Sequence, residues 1–342
     1  MPPAEKKEAK IKKKKLSEVI ALDIARSGLK MVHARNTKEG FSVIKIGELT
    51  ALEPPAEGEA VPRLILPKEW TAYYAAMLTT GADAVVRYVT LPGHQPESED
   101  LSVQVREHMG LEEGYRVGYV HIKHPNVKTE TRLLAAALKE EEAQQMLARF
   151  PIGQPAPCSL EISSLAALNA FTELGPLKDH PDDAICFIDA GAQITLMALF
   201  NRGALSIVRK FNMGGDYLVE NIQKEMGVDS EVARNIVADG SFDISRSVSA
   251  VLGPFLRQLS ISKDFIERRE DCQLTAIYIS GGMSLCGDWC RDIGQSVGVN
   301  VQQWNPFAGL TMDAGAIPEE LAGQEPRFAA ALGAAWGVLG KS

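Results

Sequence analysis

The chain has 342 residues, 45% hydrophobic and 23% charged, which is long enough for about two domains. Its net charge is −8, yet the first fifteen residues hold seven Lys and two Glu; the remainder therefore stands at −13, which does not suit a nucleic-acid partner. No apolar run reaches the roughly 20 residues of a spanning helix, no apolar stretch follows the charged start, and the five cysteines form no CxxC pair, so a soluble cytoplasmic chain with reduced thiols is expected.

Residues 1–17 read as a disordered basic tail, either a solvated arm or a weak contact for anionic lipid at about 1 kcal/mol per Lys. "EVIALDIARSGLKMVHARN" (18–36) is strand, turn, strand, and "FSVIKIGELTAL" (41–52) is a third strand of the same meander. "EPPAEGEAVP" (53–62) is a connection, "PKEWTAYYAAMLTTG" reads as a helix, and "AVVRYVTLPG" (84–93) as a strand closed by Pro-Gly. An acidic-capped helix in "HQPESEDLSVQVREHMG", strands in "YRVGYVHIKH" and "TRLLAAAL", and a helix in "KEEEAQQMLARF" make a small α+β block over 96–149. His121 and His124 fall on opposite faces of their strand, which argues against a shared metal. "SLEISSLAALNAFTEL" (159–174) reads as a helix.

After "GPLKDHPDDA" the first pattern returns. "ICFIDAGAQITLMALFNRGALSIVRKFNMGG" is again strand, Asp-containing turn, strand, Gly turn, strand. Asp23 and Asp189 take matching places in the two meanders, which marks a weak internal repeat. Helices follow, then the strand "TAIYISGG", the helix "LCGDWCRDIGQSVG", the strand "VNVQQWNP" and a closing helix over 326–340. Cys286 and Cys290, one turn apart, read as packing residues. One Asp-Gly turn alone is an ordinary turn. Two such turns and an "SGG" can instead face one another across a cleft, their N–H groups toward a phosphate chain and their carboxylates toward hydrated Mg2+.

The ordered set "LDIARSGLKMV", "RYVTLPG", "LLAAALKEEEAQQML", "SLEISSLAALNAF", "IDAGAQITLMALFNRGALSIVRKFNMGGDYL", "EMGVDSEVARNI", "IYISGGMSLCGDW" and "GVNVQQWNPFAGL" resembles the PilM family of type IV pilus assembly proteins, within the actin-like superfamily. The resemblance implies an α/β fold: a duplicated, ribonuclease H-like, two-domain actin-like fold with an inserted α+β subdomain. The first domain would comprise 18–95 and 150–180, the insert 96–149, and the second domain 181–342, its final helix 326–340 returning toward the first. It also implies a cytoplasmic scaffold at the inner membrane. Its partners would be the N-terminal peptide of a PilN-like membrane protein and other pilus platform and motor proteins. By the same resemblance, Arg87, Val89, Leu91, Leu101 and Val105 would line the peptide groove, against a plain core-packing reading for the four apolar residues.

ATP with Mg2+ would bind between the large domains. The residues that match are Asp23, Arg26, Ser27, Gly28, Lys30, Gly191, Ala192, Gln193, Thr195, Gly214, Gly215, Gly281, Gly282 and Met283. Asp23 and Asp189 would hold the metal, and Asp189 would orient a water. Several positions depart from the family. Ala25 replaces a glycine, Gln193 and Ile194 replace small hydroxyl residues, Arg234 and Val237 replace a Glu and a Lys, and Gln258 replaces a Glu. Each lost polar contact is worth about 1–3 kcal/mol, so weak or absent hydrolysis is expected. The alternative is an active ATP-hydrolysing actin-like protein of pilus, type II secretion or cell-division machinery.

Overall fold

Strand β1 (Glu18–Ala25) is followed across a two-residue turn by β2 (Gly28–Thr37) and then by β3 (Gly40–Leu49). The computed structural model describes residues 16–50, 61–93, 95, 99–122, 129–150 and 153–340. The basic tail up to residue 15, most of the 53–62 connection and His124 lie outside these. Strand β4 (Tyr74–Thr79) pairs parallel to β1 over Ile20–Ile24. This corrects the helix expected over "PKEWTAYYAAMLTTG". The run Ala75–Leu78 is buried throughout, and a short apolar run has no period that separates a central strand from a buried helix.

Strand β5 (Val85–Pro92), helix α1 (Glu99–Met109), strands β6 (Tyr115–His121) and β7 (Glu130–Lys139) and helix α2 (Glu140–Ala148) come next. β5, β7 and β6 form a separate three-stranded antiparallel sheet. The sheet of the inserted unit thus begins with β5, ahead of the boundary drawn at residue 96. Strand β8 (Ala156–Ile162) then pairs parallel to β4 and leads directly into helix α3 (Ser163–Leu174). The helix expected from 159 therefore starts only at Ser163.

The second half repeats the scheme. Strands β9 (Ala184–Ala190), β10 (Thr195–Asn201) and β11 (Ala204–Phe211) form the meander. Arg202 (φ 51°) and Gly203 (φ 72°) make the tight β10–β11 turn, where two left-handed residues match the strand twist. Helices α4 (Gly215–Met226), α5 (Ser230–Asp239) and α6 (Ser245–Glu270) follow, then strand β12 (Leu274–Ser280), helix α7 (Gly287–Val297), strands β13 (Val301–Gln303) and β14 (Thr311–Met312), and helix α8 (Ala329–Leu339). Cys286 precedes α7 and Cys290 lies within it; both are free thiols.

The two large sheets run β14-β3-β2-β1-β4-β8 and β11-β10-β9-β12-β13. Five strands of each correspond: an antiparallel meander, then two parallel strands added beside its first strand. The fold is a duplicated, two-domain actin-like α/β fold with an inserted subdomain. Helices α3 and α8 pack between the sheets. At their crossing, a Cβ on Gly333 would lie 1.8 Å from the Ala166 carbonyl oxygen, so only glycine fits there. One core runs from Val19 and Leu78 through Phe171 to Phe187 and Leu196, with Phe171 and Phe187 stacked at 4.4 Å. Helices α4 to α7 cover the outer face of the second sheet.

Candidate functional site

The duplication carries the ends of β1 and β9 to one cleft between the domains, with a cavity volume of ≈ 260 Å³. Asp23 sits at the end of β1 opposite Leu78, and Asp189 at the end of β9 opposite Ser280. Both carboxylates are buried, Asp189 at 9% exposure and Asp23 at 7%. Ser163 Oγ, at the start of α3, donates to Asp23 Oδ1 at 2.6 Å and lies 3.0 Å from the Thr79 carbonyl. Ser280 Oγ donates to Asp189 Oδ1 at 2.9 Å. Each carboxylate is thus oriented by a serine on the neighbouring element.

Burial pushes the Asp189 carboxyl up to about 7; the Ser280 hydrogen bond and Lys30 oppose this, and Asp23 adds to it. Lys30 is buried, and its Nζ donates to Ser27 Oγ at 3.3 Å. On the other wall, burial raises the Asp216 carboxyl, against the pull of Arg234 and Arg26. Arg26, Lys30, Arg234 and Arg327 share one cleft with Asp23, Asp189 and Asp216, and Arg327 is already ion-paired to Glu48.

Most of the expected residues come together here: Asp23, Arg26, Ser27, Lys30, Gly191, Ala192, Gln193, Gly215, Gly281, Gly282 and Met283, with Asp189. Three do not line the cleft. Thr195 is fully buried, and its hydroxyl donates to the Met213 carbonyl at 2.9 Å. Gly28 turns β1 into β2 at φ 145° beside Glu48. Gly214 is a packing glycine: its Cβ would lie 2.3 Å from the Gly191 oxygen and 2.6 Å from that of Ala192. Gln258 is also away from the cleft; it accepts from Arg209 Nη1 at 3.0 Å in a separate groove.

Sequence reasoning missed Ser163, Thr80, Asp216, Arg327 and Ala330 as lining residues. Ser163 follows strand β8 inside the 159–174 segment, and that strand's parallel partner lies far away in sequence, so no local signal marks it. The four apolar groove candidates follow the core-packing reading and not the groove. Val89, Leu91, Leu101 and Val105 are 0–5% exposed in the core of the inserted unit, because the alternation along β5 and the helical spacing on α1 turn them inward. Arg87 is exposed and lines a shallow cavity with Ala82, Tyr115 and Lys139.

The donor set fits the metal end of MgATP: two buried carboxylates can hold hydrated Mg2+, and Lys30 with Arg26 can meet phosphate. Elsewhere the cleft offers fewer donors. The first amides of α4 are spent inside the protein, Gly215 N on the Gly191 carbonyl at 3.1 Å and Asp216 N on that of Ala192 at 2.8 Å. Such N–H groups are what makes a helix N-terminus hold phosphate. Ile194 and Val237 add apolar surface without donors.

A family model for the type IV pilus assembly protein PilM matches residues 21–337. The chain belongs to the PilM family. That match spans both PilM domains and the insert. The solved structure of a PilM-PilN type IV pilus biogenesis complex is similar to this PilM-family chain at TM-score 0.76 and 19% identity, covering 94% of this chain and 98% of that one. A protein of actin-like ATPase fold and unknown function from Bacteroides thetaiotaomicron follows at TM-score 0.44 and 9% identity, covering 85% and 91%. Among the described residues of this PilM-family chain, no helix is long and apolar enough to cross a membrane.

Proposed function

We propose that the chain is an actin-like scaffold of the type IV pilus inner-membrane platform. It works from the cytoplasmic side by binding the N-terminal peptide of a PilN-like membrane protein, alongside other platform and motor proteins. The observation that carries this reading is the family match over 21–337, which spans both large domains and the inserted unit together. The likeness to a PilM-PilN complex supports the choice of partner. Arg87 is the exposed member of the groove candidates and the residue to test first.

The interdomain cleft is read as a weakened nucleotide site. Asp23 and Asp189 would hold Mg2+ through water, and Lys30 and Arg26 would meet phosphate. Bound ATP would supply phosphate charge to bridge the domains. The spent amides of α4 and the apolar Ile194 and Val237 favour slow turnover or none.

Titration of the full chain with the N-terminal peptide of the neighbouring PilN-like protein, with and without MgATP, tests the scaffold. Binding is expected in at least one state, and Arg87→Glu is expected to weaken it several-fold. No binding in either state overturns the reading.

A further inference from the structure

Helix α4 has two working faces. Asp216 and Val219 face the cleft. Tyr217, Glu220 and Lys224, at the spacing of one helix face, line a second and larger groove of ≈ 830 Å³. Its opposite wall is α6, through Pro254 and Arg257, and Phe211 at the end of β11 joins the two walls. Pro254 stands inside α6 and withholds the N–H that the Ala250 carbonyl would otherwise receive.

The charge of this groove runs against that of the protein. The whole chain carries −8, yet Lys224 and Arg257 are exposed here with Glu220 as the one lining carboxylate. Among the described residues, neither cation has an ion pair within 4 Å. The same groove is lined by Tyr217, 46% exposed, and by the apolar surface of Phe211 and Pro254. Two cations without an ion pair and an apolar, partly aromatic lining in one groove, on an acidic body, complement a segment that alternates carboxylates with large apolar side chains.

We propose that the groove between α4 and α6 docks an acidic amphipathic segment of a partner protein, with its apolar side chains on Tyr217, Phe211 and Pro254 and its carboxylates on Lys224 and Arg257. The groove borders the inserted unit at Lys210 and Asn212, which also line the cavity of Arg87, whereas Tyr217, Lys224 and Arg257 do not line that cavity. The groove touches the cleft only through α4, whose first turn is tied to the Asp189 hairpin by the Gly215 and Asp216 amides.

The test uses two labelled helical peptides of about 18 residues, each with Leu or Phe at every third or fourth position. One carries Glu at the remaining positions and the other Lys. Fluorescence anisotropy with the full chain is expected to show the Glu peptide binding at least tenfold tighter than the Lys peptide, with affinity falling as salt rises. The surface pair Lys224→Glu and Arg257→Glu should reverse that preference, and Tyr217→Ala should weaken the Glu peptide several-fold. Binding of the PilN-like peptide should be unchanged in both variants, which separates this surface from the scaffold reading. Equal binding of the two peptides, no binding of the Glu peptide, or a Glu preference that survives the double charge reversal would overturn the proposal.

Discussion

The ammonium of Lys210, on the edge strand β11, lies 2.7 Å from the carbonyl oxygen of Gly81 in the turn that leads into the inserted unit. It also donates to Ala82 O at 2.5 Å and Ala84 O at 2.8 Å. Three carbonyls fix one lysine of the second domain onto the junction of the first domain and the insert. Thr80, beside that turn, lines the cleft, so the same few residues touch all three bodies.

Lys210→Met keeps the aliphatic stem and removes the charge and its donors. We expect a stability loss of about 1–3 kcal/mol and faster amide exchange at the Ala84 N–H, which donates to Gly81 O at 3.0 Å. The peptide groups of β6, on the far side of the insert, should keep their protection. Unchanged exchange at Ala84 would mean that the lysine does not hold the turn.

Asp189 predicts a pH dependence in protein free of nucleotide and metal. Its carboxyl ionises near 7 when folded, mainly because of burial, against 3.8 for a free side chain. Between these values the folded chain holds a proton that the unfolded chain has released, so this group makes stability fall as pH rises. Asp189→Asn keeps an acceptor for Ser280 and removes the ionisation. The variant should be more stable than the parent above pH 7, with the advantage shrinking toward pH 4. A difference that is constant across that range would contradict the assignment.

Two glycines near the cleft separate packing from chemistry. Gly214→Ala places a methyl 2.3 Å from the Gly191 oxygen and should cost about 1–3 kcal/mol in thermal unfolding. Gly282→Ala meets nothing within 4 Å and should leave stability within about 0.5 kcal/mol. If both are neutral, the hairpin-to-α4 junction is looser than the geometry here.

Nucleotide binding gives a fourth prediction. With the α4 amides occupied, MgATP should bind more weakly than about 10 micromolar by calorimetry, and no measurable turnover should be present for Asp189→Ala to remove. A tighter site, or turnover abolished by that substitution, would favour the active-ATPase alternative.

Much of the fold could be read in the chain because the repeat repeats its chemistry. "ALDIARSGLKMV" and "FIDAGAQITLMA" each place an Asp at the end of a buried strand before a tight turn, and the structure sets both at one cleft. What stayed hidden were the parallel strands β4 and β8. Both are short, and their partners lie far away in sequence, so nothing local marks them. Ser163 was lost with β8. The inward turn of Leu101 and Val105 follows from the spacing along α1, as the core-packing reading set beside the groove has it. Gly214 kept its place in the family pattern for steric reasons, which sequence cannot tell from a role in binding.

Strand β14 pairs with Ser42 and Val43 on the open edge of β3, and α8 fills the space between the two sheets. The first domain is therefore completed by residues 311–339, after nearly all of the second domain has been translated. During synthesis its sheet must wait with one edge bare and one face uncovered until the last helix emerges. Chaperone demand and protease sensitivity should thus peak in nascent chains that stop short of α8, and nicks near residue 320 should unravel the part of the protein made first.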